Sequence, residues 1–357
     1  MKLVGTRTYA LTLPFRQPLV SAVGTLKRRN SVLVRLEDSG GHVGWGEAAP
    51  LPGFTEESPG EVAMALGVLL SAMEGEHLPE RPDALRGLVT ELAMATHDGV
   101  PPTASVAVET ALLDLSGRRS RRSLAAVLDP NPRPMVPISR LITDVHGAKS
   151  ALMAGIRSVK LKVGGPDPDR ELRLVAAVRA TVGPEVELRV DANRGWSFDQ
   201  AEALLPRYAA LGVALVEEPL LGSTPSALAA LRRCGVRIAA DESVRSPADL
   251  EGLVRTRSVD ALVLKPAFIG SLVLAREMAR FAAGAGLSVI VTSALDSAIG
   301  RRAALHVAAG VPAGSLRACG LDTGGLLRSD VGADPPIEDG AMAIGPEHGL
   351  GLDPTLP

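Results

Sequence analysis

Five short apolar segments, each closing on charged residues, recur between positions 159 and 266. They are 159–163 with Lys160 and Lys162, 188–193 with Asp191, 215–219 with Glu217 and Glu218, 238–242 with Asp241 and Glu242, and 262–266 with Lys265. The steps from Lys162 to Asp191, Glu217, Asp241 and Lys265 are 29, 26, 24 and 24 residues, the length of a strand, a helix and two loops. From residue 135 onward the pattern predicts eight strands, at 136–142, 158–164, 186–192, 213–219, 237–242, 261–266, 287–293 and 315–321.

Helices with apolar faces are predicted between them, at 169–182, 199–210, 225–233, 247–255, 272–283 and 301–309. Ser197, Thr224 and Ser246 stand at their starts as caps, the latter two followed by proline at the first helical position. Eight strands alternating with helices point to a closed parallel (β/α) barrel, with an open doubly wound sheet as the alternative. The first crossover is short and no final helix is evident, so an irregular seam is expected.

Residues 1–130 lack this rhythm. Strands are predicted at 6–15 and 31–38, then a turn at 39–42 and a further strand at 43–47. Helices follow at 61–73, 83–95 and 104–115, with Val62, Leu66 and Leu69 at helical spacing in the first. The expected division is an N-terminal α+β capping domain at 1–130, a barrel at 131–323 and a tail at 324–357 that returns to the cap or frays. The segment 48–55 is apolar for a loop; packing against its own domain is favoured over a lid. The segment 24–30, with Lys27, Arg28 and Arg29, reads as a loop carrying solvated charge.

The net charge of −2 gives no attraction to nucleic acid or an anionic membrane. Cys234 and Cys319, alone in 357 residues, cannot form a disulfide scaffold and suit a reducing cytoplasm. No apolar run reaches the ~20 residues of a spanning helix. The expected partner is a small carboxylate, and a homo-oligomer is compatible with the sequence.

Alternate side chains of a barrel strand face the interior, so Lys160 and Lys162 share a face, as do Asp191 and Asn193. Each charge falls at the C-terminal end of its strand, where barrel active sites lie. The lysines belong to the second and sixth strands, opposite each other in an eight-membered ring, with the acids between. Convergent carboxylates repel unless a cation holds them, and oxygen donors without His or Cys favour Mg²⁺, then Mn²⁺. Such an ion would stabilise the enediolate formed when a bound carboxylate loses its α-proton. The interval favours Glu217 and Asp241 as ligands, with Glu218 and Glu242 as competitors. Ser293 and Asn193 are candidates for substrate contact, with Arg16 and Lys27 further possibilities for a distal carboxylate. His306 lies on a helical pattern and reads as a packed or surface residue.

These residues resemble the enolase superfamily in its muconate-lactonizing branch, which carries Lys-x-Lys on the second strand, Asp, Glu and Asp on the next three and Lys on the sixth. The pairing of a Lys or His base with Mg²⁺ is a known property of that superfamily. The segments 46–50 and 107–115 are similar to its capping domain, whose loops close over a modified TIM barrel. The resemblance implies Lys162 as general base, Lys160 as its tuner and Lys265 as the opposite lysine. The segments 291–300 and 320–323 are similar to o-succinylbenzoate synthases of menaquinone biosynthesis, which dehydrate a succinyl-hydroxycyclohexadiene carboxylate. Leu321-Asp322-Thr323 departs from the Asp-x-Asp of dipeptide epimerases. N-acylamino-acid racemases share the two-lysine site and are the alternative.

Overall fold

The computed structural model describes residues 1–21, 24–94 and 99–356. The chain opens with an antiparallel sheet of β1 (Leu3–Ser21), β2 (Gly24–Asp38) and β3 (Val43–Ala48), in that order. Leu11, Leu13 and Phe15 alternate inward from β1, the period of two that a pleated strand imposes. Both hairpin strands run further than predicted. Residues 24–30 are strand rather than loop, with Leu13 opposite Arg29 and Pro14 opposite Arg28.

The solvated-charge reading fails at Arg29, which is 2% exposed. Strand alternation turns it inward while Arg28 and Asn30 face solvent. Its guanidinium donates there to the carbonyls of Ala49 and Pro50 and lies 3.9 Å from Asp296.

Helices α1 (Pro59–Met73), α2 (Pro82–Met94), α3 (Pro102–Ser120) and α4 (Leu124–Leu128) follow; Ala95, the expected end of the second, lies outside the described residues. Ser58 and Glu61 form a capping box at the start of α1. Helix α3 is buried almost all round, as a helix wedged between two layers must be. It crosses β3 so closely that a Cβ on Gly44 would sit 2.1 Å from the Ala111 carbonyl, and one on Gly46 1.9 Å from that of Ala107. Only glycine permits that approach.

The second half begins with β4 (Met135–Pro137) and β5 (Ser139–Ile142). It continues α5 (Val145–Met153), β6 (Ser158–Lys162), α6 (Pro168–Val182), β7 (Glu187–Asp191), α7 (Phe198–Ala210), β8 (Val213–Glu217) and α8 (Pro225–Leu231). Then come β9 (Arg237–Ala240), α9 (Pro247–Thr256), β10 (Ala261–Leu264), α10 (Pro266–Ile269), α11 (Leu272–Gly284), β11 (Ser288–Val291) and α12 (Ala298–Ala309). The predicted caps operate: Ser197, Thr224 and Ser246 accept from the amides of Gln200, Ala227 and Asp249.

Among the described residues seven strands, not eight, form the parallel sheet, in the order β11-β10-β9-β8-β7-β6-β5. The expected eighth, 315–321, makes isolated bridges instead: Leu316 with Val289, Gly320 with Thr292, and Cys319 with Ile138. These contacts link β11 back to the start of the sheet and close a modified TIM barrel whose seam is irregular. After residue 323, β12 (Ile337–Glu338) pairs with β13 (Ala341–Ala343), which in turn pairs with β4. The chain also meets the N-terminal sheet, where the Arg328 amide donates to the Pro14 carbonyl at 2.8 Å. No helix among the described residues is long and apolar enough to cross a membrane.

Candidate active site

The parallel register places the charges on one rim. Lys162 pairs with Asp191 and Asp191 with Glu217 in successive strands, while Asp241 and Lys265 stand just past the ends of β9 and β10. Lys160, Lys162, Asp191, Asn193, Glu217, Lys265 and Ser293 all border one cavity of about 910 Å³, counted with its open mouth. Val263 and Ile290 lie on its barrel side, members of a small apolar cluster separate from the main core. Asp241 does not border it. Its carboxylate is 4% exposed and is ion-paired to Lys265 Nζ.

Lys160 Nζ bridges Asp191 at 3.1 Å and Glu217 at 2.9 Å. The combined charge of Asp191, Glu217 and Asp241 outweighs burial and holds Lys160 well above the usual lysine range. Lys162 has no carboxylate within ion-pair distance among the described residues. Its Nζ donates to Asn193 Oδ1 at 2.7 Å. Burial, assisted by the charges of Lys160 and Lys265, lowers its pKa against the pull of Asp191 and Glu217.

Burial, and then the charges of Asp191 and Asp241, push the Glu217 carboxyl up to about 8. Three buried acids, Asp191, Glu217 and Asp241, shared between two lysines, are the observation that tests the site against a divalent cation. Their oxygen-only donor set fits a hard ion. Among the described residues no three acidic, His or Cys side chains stand as a finished cage, because Lys160 and Lys265 take up carboxylate oxygens.

The two ambiguous acid pairs resolve differently. Glu218, at φ +39°, turns away from the cavity: its Oε2 accepts from the Asp241 amide at 2.8 Å and from Ser243 Oγ at 2.9 Å. Glu242 stays beside the rim and accepts from Asn193 Nδ2 at 2.9 Å, with its other oxygen buried and unpartnered. Burial and the neighbouring Asp241 push it up to about 7. Asn193 therefore links Lys162 to Glu242.

The loop 48–55, for which packing was favoured, also forms part of the cavity wall. Leu51 and Phe54 line the cavity together with Leu19 and Leu26. Ser293 Oγ shares a 2.8 Å hydrogen bond with Thr323 Oγ1, its neighbour on the cavity wall. Asp322 borders the cavity but is ion-paired to Arg140. Arg16 and Lys27 do not border it, and Arg16 donates instead to the Gly325 carbonyl at 3.1 Å. His306 is buried in packing, as expected. Phe268 and Arg245 were not marked by the sequence, since no local pattern signals a residue whose partners, such as the Phe54 carbonyl for Arg245, are distant.

Comparisons with known proteins agree with this geometry. Residues 4–128 match the mandelate racemase / muconate lactonizing enzyme N-terminal domain, and 144–356 the enolase C-terminal domain-like family. A chloromuconate cycloisomerase of Cupriavidus necator is 31% identical over 87% of this chain and 85% of its own. An o-succinylbenzoate synthase of Mycobacterium ulcerans is 40% identical over 61% of this chain and 67% of its own. The solved L-Ala-D/L-Glu epimerase of Bacillus subtilis, bound to substrate, superposes with a TM-score of 0.89 at 27% identity, covering 100% of both chains. Matches to both domain families across nearly the whole chain, with lysines and acids on one rim of the barrel, make this protein a member of the enolase superfamily, in its muconate-lactonizing branch.

Proposed function

We propose that the chain is a Mg²⁺-dependent o-succinylbenzoate synthase, dehydrating 2-succinyl-6-hydroxy-2,4-cyclohexadiene-1-carboxylate. The observation that carries the reading is that Lys162 and Lys265, four strands apart in the ring, border one cavity with Asp191 and Glu217 between them. Asp191, Glu217 and Asp241 would hold the ion, in keeping with a superfamily whose members typically bind Mg²⁺. Once bound, it would receive the substrate carboxylate and draw off the negative charge that develops as the α-proton leaves.

Lys162, lowered by burial and steered by Asn193, takes that proton. As an ammonium it then protonates the departing hydroxyl on the same face, releasing water. Lys265 presents its positive charge to the anionic carbon skeleton from the other face. Leu19, Leu26, Leu51 and Phe54 exclude water above the ring.

The identity of 40% to the Mycobacterium ulcerans enzyme, over 61% of this chain, supports the dehydratase reading within the branch. The Arg140–Asp322 ion pair speaks against a site for a substrate ammonium. A second reading, N-acylamino-acid racemase, is favoured by the same opposition of two lysines, since one can remove a proton that the other returns. Turnover of the cyclohexadiene carboxylate, an N-succinylamino acid and a chloromuconate should be measured side by side. A kcat/KM highest for the first supports the proposal; no dehydration of it under conditions where another substrate turns over overturns it.

A further inference from the structure

Two arginines remote in sequence grip the loop that covers the cavity. At its base, Arg29 of β2 donates to the carbonyls of Ala49 and Pro50. At its tip, Arg245, in the connection from β9 to α9, donates Nη2 to the Phe54 carbonyl at 2.8 Å. The tip is a closed turn: the amides of Phe54 and Thr55 both donate to the Leu51 carbonyl at 2.9 Å, and Thr55 Oγ1 accepts from the Leu51 amide at 3.0 Å. A turn bonded to itself in this way moves as a unit, so whatever holds Phe54 places Leu51 as well.

The underside of that turn is a wall of the cavity. Leu51, Phe268 and Ala294 form an apolar cluster apart from the main core, with Leu26, Phe54 and Leu295 packed on it. Apolar contact is non-directional and does not by itself fix how the turn sits on Phe268. Arg245 supplies the direction. Its guanidinium carbon stands 4.6 Å from the Phe268 ring centre while the same group bonds the Phe54 carbonyl. Lys265 Nζ approaches that ring at 5.8 Å. One planar cation thus spans lid and barrel wall, a geometry that the flexible ammonium of lysine reproduces only in part.

We propose that Arg245 is a positioning residue that sets the lid turn 51–55 against Phe268, and so fixes the apolar wall met by the part of the substrate distal to its carboxylate. Arg245 is half-buried, which leaves it free to release the carbonyl to water when substrate enters or product leaves.

The test compares the full chain with Arg245→Met, which keeps length but loses the donor, and Arg245→Lys, which keeps a donor and the charge. Hydrogen exchange of a peptide spanning 51–55 is read first, because it needs no substrate. Exchange there should quicken on the order of tenfold in Arg245→Met and by less in Arg245→Lys. KM for the cyclohexadiene carboxylate should rise on the order of tenfold in Arg245→Met, with kcat changed far less. This second arm rests on the dehydratase reading, and the first does not. Unchanged exchange at 51–55 overturns the proposal, as does faster exchange spread over the whole barrel, which marks a merely structural residue. Faster local exchange with an unchanged KM overturns the assignment to the substrate wall. If the wild type turns over no cyclohexadiene carboxylate, the dehydratase reading falls and the exchange arm still decides for or against the lid contact.

Discussion

Glu47 Oε2 accepts a hydrogen bond from Ser297 Oγ at 2.7 Å, across 250 positions of sequence. The same carboxylate takes the amides of Ser297 and Gly300 at the start of α12 and, through Oε1, Ser31 Oγ at 2.7 Å. Glu109 does the same for α11, accepting from Ser271 Oγ at 2.8 Å and the Leu272 amide at 2.5 Å. Two acids of the N-terminal domain therefore satisfy the free amides of two barrel helices. The N-terminal domain is fixed on the side of the rim from which Ser293 and Phe268 enter the cavity.

Replacing Glu47 by Ala should strip several buried donors of their acceptor and cost about 2–4 kcal/mol. Glu47→Gln should cost less, since its amide oxygen still accepts. Urea unfolding of both variants checks this, and equal stability of Glu47→Ala and wild type would refute it.

Lys162→Ala should lower the dehydration rate by at least ~10³-fold, because one side chain serves as base and then as acid. The fold should survive, which a melting curve measured beside the kinetics will show. A full rate in this variant would remove Lys162 from the mechanism.

Removal of divalent metal by a chelator should abolish turnover, and Mg²⁺ or Mn²⁺ should restore it while Na⁺ does not. Activity that persists after exhaustive chelation, together with an imine trapped by borohydride on Lys162 or Lys265, would indicate Schiff-base chemistry instead.

His306 is buried, its Nδ1 accepting from the Ala125 amide at 3.1 Å, and burial pushes its pKa down to about 4 from 6.5. Between those values the unfolded chain binds the extra proton and the folded chain does not, so this group costs stability as pH falls from 6.5 to about 4. The loss should amount to about 3 kcal/mol and level off below that range. Glu109, raised by burial to about 7, and Asp114, raised by burial to about 6, act in the opposite sense in the same window. The measurement is therefore the difference in unfolding free energy between wild type and His306→Gln across pH, which should shrink as pH drops.

Much of the barrel was legible because its signals are local. The alternation that pairs Lys160 with Lys162 and the caps at Ser197, Thr224 and Ser246 act within a few residues, and the pitch from Lys162 to Lys265 repeats one strand–helix unit at a time. The eighth strand was not, since 315–321 has strand-like composition yet only isolated bridges. Arg29 was misread for a related reason: its neighbours are charged and exposed, and its own partners lie at 49, 50 and 296.

The amino-acid sequence alone determined which charges end which strands and that they share an inward face, because strand period and repeat length are short-range properties of the chain. Only the tertiary structure decided that Glu217 enters the cavity while Glu218 turns to the Asp241 amide, a choice made by one backbone torsion just past β8. It also decided that Asp241 meets Lys265, that Asn193 steers Lys162, and that Phe54 and Phe268 meet under Arg245. Among those contacts, the hydrogen bond from Arg245 to the Phe54 carbonyl spans 191 positions of sequence. Their energies depend on burial and direction, which exist only once the cap and the barrel have packed together.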